Sequence, residues 1–313
     1  MREPDAIFED QTLRDGLQME ARIFSLEEKL ELIRRLAEAG LKRIQVGSFV
    51  HPKRVPQMAD TDELIRELGE RPGVAFTGLV LNEKGLDRAL ACGLRHVALS
   101  VSVSDTHSRK NANRPAREAL DAMIDLVAKA AREGLSIRAG LQCAFGCVYE
   151  GPTDPEKVLA AAERMAEAGA PEISLADTTG MGHPGQVRDL CRRVADALPG
   201  HPVALHLHDT RGLGLANMLA GYEAGVRAFD TCVGGLGGCP FVRGAAGNVP
   251  TEDAVHAMEA MGVSTGIRLD RLADIVDLLE SALGRSLPGR MARVVRFQRS
   301  RADECARKRG AKQ

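Results

Sequence analysis

The sequence lacks several features that mark common classes of protein. It has no tryptophan and only 3% aromatic residues, which argues against the stacking platforms that bind single-stranded nucleic acids. Its 42 basic and 43 acidic residues nearly cancel, so neither nucleic acid nor an anionic membrane surface is an expected partner. No apolar run reaches the roughly 18 residues of a membrane-spanning helix. We therefore expect a globular protein with no nucleic-acid and no membrane partner.

Cysteine usage and the first residues indicate the compartment. The chain has 7 cysteines, an odd number, and none of them forms a CxxC pair. This pattern is typical of reduced thiols rather than of a disulfide framework. The charged N-terminal segment MREPDAIFED leads directly into a strand-like run, so we expect no signal peptide. Together these features predict a cytoplasmic protein.

Strand-like and helix-like segments alternate along almost the whole chain. About eight such units in about 250 residues predict an α/β fold, the (β/α)8 TIM barrel. A doubly wound open sheet is the alternative, but the turn after the first strand, LRDGLQME, has no GxGxxG pattern. A capping box of Ser25 and Glu28 is predicted to open the first helix. The predicted strands cover residues 6–13, 43–49, 74–81, 96–102, 136–142, 172–177, 203–208 and 228–233.

The chain is predicted to divide after the last strand–helix unit. Residues 1–265 form the barrel domain in this interpretation. Residues 266–313 add a C-terminal helix and a basic tail, packed on the barrel or trailing from it. We expect the tail, ARVVRFQRSRADECARKRGAKQ, to be a solvated terminus.

Two histidines near the end of the seventh predicted strand are the clearest chemical signal. Residues i and i+2 of a strand face the same side, so His206 and His208 share one face. Their apolar neighbours are expected to face the helices, which leaves both imidazoles in the barrel mouth, where TIM barrels carry their chemistry. With Asp15 after the first strand and Asn248 after the last, they form a mixed oxygen and nitrogen donor set. Such a set suits Mg²⁺, Mn²⁺ or Zn²⁺, and it favours an Fe(II) oxygenase less because the strands and helices alternate.

A glycine-rich loop and the absence of a lysine narrow the chemistry. Cys239 lies in the segment GGLGGCP, and a thiol on such a loop near a metal site is predicted to exchange protons or act as a nucleophile. The predicted strands carry no lysine at the ends where a Schiff base would form. The sequence therefore favours a metal-assisted enolate over an imine.

Several segments, in order, resemble one known family. EDQTLRDGLQ, SFVHPKRVPQMAD, THSRKNANR, SLADTTGMGHPG, HLHDTRGLGLANML, GGLGGCPF and GAAGNVPTED are similar to the 3-hydroxy-3-methylglutaryl-CoA (HMG-CoA) lyases. The resemblance runs from about residue 8 to residue 286. The family belongs to a wider group of metal-dependent TIM-barrel lyases and synthases, which includes the isopropylmalate and citramalate synthases.

The resemblance implies a role for each matching residue. Arg14 would stabilise the enolate oxygen, and Cys239 would be the acid and base on the loop. Asp177 and Glu252 would relay protons or orient groups. The family usually has a glutamate where this chain has Gln45. The implied metal ligands are Asp15, His206, His208 and Asn248, and the implied substrate contacts are Gln45, Ser48, Lys110 and Asn111.

The activity implied by the resemblance is a retro-Claisen cleavage. HMG-CoA would be split into acetyl-CoA and acetoacetate, with Mg²⁺ or Mn²⁺ as the expected cofactor and Zn²⁺ as the alternative. The expected assembly is a homodimer, and the expected partner is an acyl-CoA substrate. Two other functions remain open: a Claisen synthase that joins acetyl-CoA to a 2-keto acid, and a catalytically weak barrel that binds an acyl-CoA.

Overall fold

Eight parallel strands form a closed barrel in the computed structural model. The structure describes residues 4–238 and 246–310, with side chains described as far as residue 302 of the last helix. The strands follow one another around the barrel in sequence order, and the last pairs with the first. This arrangement confirms the predicted TIM barrel. The strands are β1 (Ile7–Asp10), β2 (Arg43–Ser48), β3 (Ala75–Val80), β4 (His96–Ser102), β5 (Ser136–Gln142), β6 (Glu172–Asp177), β7 (Val203–Leu207) and β8 (Ala228–Thr231).

Helices surround the barrel and cover the outer face of the strands. The first helix begins at the predicted capping box, in which Ser25 and Glu28 bond each other's backbone N–H groups. In the described part of the chain, none of the helices is both long and apolar enough to cross a membrane. The helices are α1 (Leu26–Glu38), α2 (Thr61–Leu68), α3 (Glu83–Ala91), α4 (Asp105–Ala112), α5 (Ala116–Arg132), α6 (Pro155–Glu167), α7 (Pro184–Ala197), α8 (Gly214–Glu223), α9 (Thr251–Ala260), α10 (Leu269–Leu283) and α11 (Met291–Gly310).

Two helical segments were not predicted from the sequence. The stretch after β4 forms α4, whose first turn is capped by Ser104 Oγ. The basic segment expected to be a solvated tail forms α11 instead. Arg296 on this helix makes ion pairs with Asp277 and Glu280 of α10, at 2.5 and 2.7 Å. These ion pairs attach α11 to the preceding helix.

The inside of the barrel contains a buried ionic group. Arg138 of β5 contacts Glu9 of β1 at 2.9 Å, Glu172 of β6 at 2.5 Å and Asp230 of β8 at 2.6 Å. Charges removed from water require close partners, and each carboxylate here has a guanidinium beside it. We call Glu9, Arg138, Glu172 and Asp230 the interior cluster. It connects strands on opposite sides of the barrel.

Candidate active site

The first strand ends earlier than predicted, and this difference shapes the barrel mouth. After β1 the chain forms a π-helical turn, Thr12–Gly16, rather than extending the strand to residue 13. The carbonyl oxygen of Gln11 accepts the N–H groups of Asp15 at 2.8 Å and of Gly16 at 3.1 Å. This wide turn brings both Arg14 and Asp15 to the C-terminal end of the barrel.

The four residues predicted as metal ligands lie together at the mouth. The Nε2 atoms of His206 and His208 are 3.1 Å apart. Asp15 Oδ2 lies 3.4 Å from His208 Nε2 and 3.9 Å from His206 Nε2. Asn248 Nδ2 donates to the same Asp15 oxygen at 2.7 Å, and a β-bridge pairs Asn248 with His208. We call Asp15, His206, His208 and Asn248 the mouth cluster.

The donor atoms of the mouth cluster fit a divalent cation. One atom each from Asp15, His206 and His208 lies within 4.8 Å of the others, as metal ligands must. Asn248 Oδ1 is buried and has no hydrogen-bond partner in the described part of the chain. A buried acceptor without a partner is costly, and coordination of a cation would satisfy it.

Asp15 is held in the form that a metal requires. Burial alone would raise its pKa, but the Arg14 guanidinium and the hydrogen bond with His208 outweigh burial and hold the pKa of Asp15 well below its usual range. The carboxylate is therefore ionised at neutral pH. An ionised carboxylate binds a cation without first losing a proton.

Asp230 belongs to the site although the sequence analysis did not single it out. Its register partner on β7 is His206, and Asp230 Oδ2 lies 3.1 Å from His206 Nδ1. The other carboxylate oxygen accepts from Arg138 Nη1 at 2.6 Å. A carboxylate on one ring nitrogen fixes the imidazole and leaves the other nitrogen free to coordinate. An acidic residue within the otherwise apolar core of β8 was the available signal.

Arg14 lies beside the mouth cluster and is held by three oxygen acceptors. It contacts the carboxylate of Asp15, and its Nε donates to Gln45 Oε1 at 2.5 Å. A third bond joins Nη2 to Gln11 Oε1 at 3.3 Å. These contacts fix a partly buried guanidinium next to the candidate metal ligands, where it can donate to an oxygen that gains negative charge.

One cavity brings most of the predicted site residues together. Its volume is about 520 Å³, which is large enough for the acyl part of a small-molecule substrate. Gln45 and Ser48 line it from β2, and Asn111 lines it from α4. The predicted site residues that line it are Arg14, Asp15, Gln45, Ser48, Asn111, His206 and His208.

Asp177 and Glu252 are buried, and both hold backbone groups. Asp177 accepts N–H bonds from Met181 at 2.9 Å and Gly182 at 3.0 Å, and burial raises its pKa. Glu252 accepts from Gly234 N at 3.0 Å, at the start of the glycine-rich segment. Burial raises the pKa of Glu252 to about 7. Neither side chain lines the cavity described above.

Two further predicted residues lie at or beyond the edge of the site. The ammonium group of Lys110 lies over the ring of Tyr149, 4.9 Å from its centre, on exposed surface. Cys239, the predicted acid and base, lies outside the residues that the structure describes. The glycine-rich segment is described only as far as residue 238.

The fold and the mouth cluster define a class: a TIM-barrel enzyme with a candidate divalent-metal centre beside a partly buried arginine. The profile of the HMGL-like family matches residues 6–279, and the chain belongs to this family. Its relatives are named as lyases, and the chain is a carbon–carbon lyase like them. The family resemblance found in the sequence is confirmed.

Known proteins similar to the chain show how specific the match is. The chain is 45% identical over 285 residues to an (R)-citramalyl-CoA lyase of Chloroflexus aurantiacus, covering 88% of this chain and 90% of that protein. The crystal structure of a Bacillus subtilis HMG-CoA lyase superposes with a TM-score of 0.89 and 36% identity, covering 95% and 100% of the two chains. The structure of an Acinetobacter baumannii HMG-CoA lyase, solved with coenzyme A and 3-methylmalate, superposes with a TM-score of 0.87 and 35% identity. The match covers 92% of this chain and 94% of that chain.

Proposed function

We propose that this protein is a divalent-metal-dependent lyase that cleaves a 3-hydroxy-3-methylacyl-CoA by a retro-Claisen reaction. HMG-CoA is the first substrate we propose, with acetyl-CoA and acetoacetate as its products. The observation that carries the proposal is the position of Arg14 directly beside the mouth cluster. This arrangement sets a cation-binding group and a hydrogen-bond donor around one cavity.

The named activities of the relatives support this class of substrate. HMG-CoA and citramalyl-CoA both carry a methyl group and a hydroxyl on one carbon, and both end in a free carboxylate. They differ by one methylene between that carbon and the carboxylate. The similarity to an (R)-citramalyl-CoA lyase makes citramalyl-CoA the second substrate we propose, with pyruvate as its keto acid product.

Each residue of the mouth has a distinct role in this proposal. The cation would be held by Asp15, His206, His208 and Asn248. When bound there, it would lower the pKa of the substrate hydroxyl. Arg14 would donate to the thioester oxygen, where negative charge develops as the carbon–carbon bond breaks. Gln45 would keep the guanidinium in place through the 2.5 Å bond from Arg14 Nε.

Proton transfer is assigned to the glycine-rich segment. We propose that Cys239, as a thiolate, takes the proton of the substrate hydroxyl and, as the thiol so formed, returns it to the acetyl-CoA enolate to give acetyl-CoA. Glu252 supports this role from a distance, because its bond to Gly234 N anchors the start of the same segment. Asp177 similarly fixes the turn after β6 through two backbone N–H groups. We propose both carboxyl groups as positioning residues.

The coenzyme A arm is proposed to leave the mouth past α4. A second cavity of about 960 Å³ lies beside the first, and Arg54, Ser100, Asn111 and Gln142 line both. Asn111 is therefore placed to contact a ligand that passes from one cavity to the other. Arg54 and the nearby Lys110 offer positive charge for the phosphates of coenzyme A.

We further propose a cytoplasmic homodimer. The described cysteines, Cys92, Cys143, Cys147, Cys191 and Cys232, are all free and buried, as expected of a protein from a reducing compartment. The homodimer follows from the family resemblance and can be tested by light scattering.

The decisive experiment measures products from HMG-CoA and citramalyl-CoA separately. The protein is treated with EDTA and then supplied with Mg²⁺, Mn²⁺ or Zn²⁺, and acetyl-CoA, acetoacetate and pyruvate are quantified. We expect metal-dependent release of acetyl-CoA, with the second product identifying the preferred substrate. Cys239→Ser should slow turnover while metal binding stays unchanged.

Other outcomes would identify the alternative functions. If neither ester is cleaved but acetyl-CoA and a 2-keto acid are joined, the protein is a synthase and the proposed direction is wrong. If an acyl-CoA binds without turnover in either direction, the barrel is a binding protein and the lyase proposal fails.

A further inference from the structure

A buried carboxylate lies within hydrogen-bond distance of Gln45, and the proposed reaction assigns it no role. The carboxylate belongs to Glu9 of β1, which is only 2% exposed. Gln45 Nε2 donates to Glu9 Oε1 at 3.5 Å, while Gln45 Oε1 accepts from Arg14 Nε at 2.5 Å. Gln45 therefore connects the interior cluster to the guanidinium at the mouth.

The contacts at the two ends of Gln45 fix the orientation of its amide. A carboxylate only accepts hydrogen bonds, and a guanidinium only donates them. Turning the amide over would place its oxygen against Glu9 and its NH₂ group against Arg14, so both hydrogen bonds would be lost. Glu9 at one end and Arg14 at the other therefore both favour the orientation in which Gln45 presents its oxygen to Arg14.

A glutamate at position 45 would place a second carboxylate against Glu9. Arg138, the cation beside Glu9, already contacts Glu172 and Asp230 as well. Burial raises the pKa of Glu9 more than the ion pair with Arg138 lowers it, and Asp230 raises it further. Glu172 also pairs with Arg43 at 2.8 Å, but among the described residues Glu9 has no cation other than Arg138 within ion-pair distance. Two buried carboxyl groups in contact cannot both ionise, so they would share a proton.

We propose that Glu9 is a positioning residue that orients Arg14 through Gln45, and that residue 45 must be neutral because Glu9 lies against it. The consequence for catalysis rests on the proposed lyase function. The coupling between residues 9 and 45 does not.

The test compares Gln45→Glu, Glu9→Gln and the double variant with wild type. Each is measured for kcat and KM of acetyl-CoA release and for the free energy of unfolding in urea from pH 5 to 8. We expect each single variant to lose about tenfold or more in kcat/KM, because a buried polar contact becomes mismatched. The double variant restores one carboxylate and one amide in contact, so we expect it to recover to within about threefold of wild type.

The pH series gives a readout that does not depend on turnover. In Gln45→Glu the folded state would hold an extra proton, because contact with Glu9 raises a carboxyl pKa above its unfolded value. Its free energy of unfolding should therefore fall, relative to wild type, as the pH rises from 5 to 8. Adding Glu9→Gln to the Gln45→Glu variant should remove this dependence on pH.

Glu172→Gln provides the matched control. Glu172 pairs with the same Arg138 but makes no contact with Gln45 in the described part of the chain. Combined with Gln45→Glu it should not restore activity. The proposal is overturned if this control rescues as well as Glu9→Gln, or if Gln45→Glu alone matches wild type at every pH. If Glu9→Gln does not fold, or if wild type cleaves neither ester, the pH dependence of the unfolding free energy of Gln45→Glu still tests the coupling between residues 9 and 45.

Discussion

Two ionic groups lie within one barrel, and they differ in how completely they are paired. In the interior cluster each carboxylate has Arg138 within 3 Å. In the mouth cluster two imidazole nitrogens face each other at 3.1 Å, and Asn248 Oδ1 has no hydrogen-bond partner in the described chain. Buried charges that are already paired contribute to structure, whereas an incomplete set is completed by a ligand. The difference separates a structural group from a functional one.

Asp230 prevents the two groups from being independent. One of its oxygens bonds Arg138, and the other lies 3.1 Å from His206 Nδ1. The interior cluster therefore supports a ligand of the mouth cluster. Changes in each group, and at the residue between them, should have effects that differ in kind.

Removing a mouth carboxylate should have the largest effect on activity. In Asp15→Ala the cation would lose its only charged ligand among the described residues of the mouth cluster, so metal binding and turnover should fall below detection. Calorimetric titration with Mn²⁺ and the acetyl-CoA assay measure this. As a control, Asp253→Asn changes a buried carboxylate on α9 and should keep wild-type metal binding and turnover. Wild-type metal affinity in Asp15→Ala would contradict the comparison.

Removing the interior cation should mainly affect stability. Arg138→Leu leaves Glu9 and Asp230 without their guanidinium, while Glu172 keeps its ion pair with Arg43 at 2.8 Å, and breaking a buried ion pair in this way costs about 3–5 kcal/mol. Urea unfolding at pH 7 measures the loss. The same change at a peripheral pair, Arg164→Leu opposite Asp121 on exposed helices, should cost under about 1 kcal/mol. An equal cost in both variants would show that the interior cluster is not special.

The residue between the two groups should have an intermediate effect on metal binding. In Asp230→Asn the carboxylate no longer orients His206, and loss of such a contact lowers metal affinity by about 10–100-fold. Mn²⁺ titration measures this loss directly. Glu172→Gln removes a different carboxylate from Arg138 and should leave the affinity within about threefold of wild type. Equal losses in both variants would mean that cluster charge, not contact with His206, is responsible.

A buried carboxyl outside both groups should show the smallest effect, as a dependence on pH. The pKa of Glu252 is raised to about 7, so its folded state binds a proton that the unfolded state releases. Between pH 5 and 7 its contribution to stability should fall by at most about 1.4 kcal/mol per pH unit. Urea unfolding of wild type and Glu252→Gln measures the difference. A variant with an unchanged pH slope would show that Glu252 is not protonated in the folded protein.

Local patterns were enough to predict the barrel and much of its mouth. Strand alternation placed His206 and His208 on one face, and the structure has both at the mouth. The prediction extended the first strand too far, to residue 13, because nothing in TLRDG distinguishes a π-helical turn from an extended strand. Helix α4 was missed because its sequence, DTHSRKNA, has no apolar face to give a helical period.

The interior cluster could not be predicted from local patterns. Whether Glu9 meets Arg138 depends on the register of strands far apart in sequence, and a shift of one residue would turn either side chain outward. The contact between Glu9 and Gln45 has the same origin. Asp230 stood out as an acid in an apolar strand, but its bond to His206 follows only from the pairing of β8 with β7.

The segment that follows β8 leaves the barrel and returns at the same place. Cys232 N donates to Val249 O, Thr251 N donates to Cys232 O, and a β-bridge pairs Cys232 with Pro250. The two ends are thus tied together independently of what lies between them. Insertions or deletions in the intervening stretch would leave the ends of β8 and α9 where they are. Related sequences can therefore vary in this stretch while the scaffold that carries His206 and His208 stays constant.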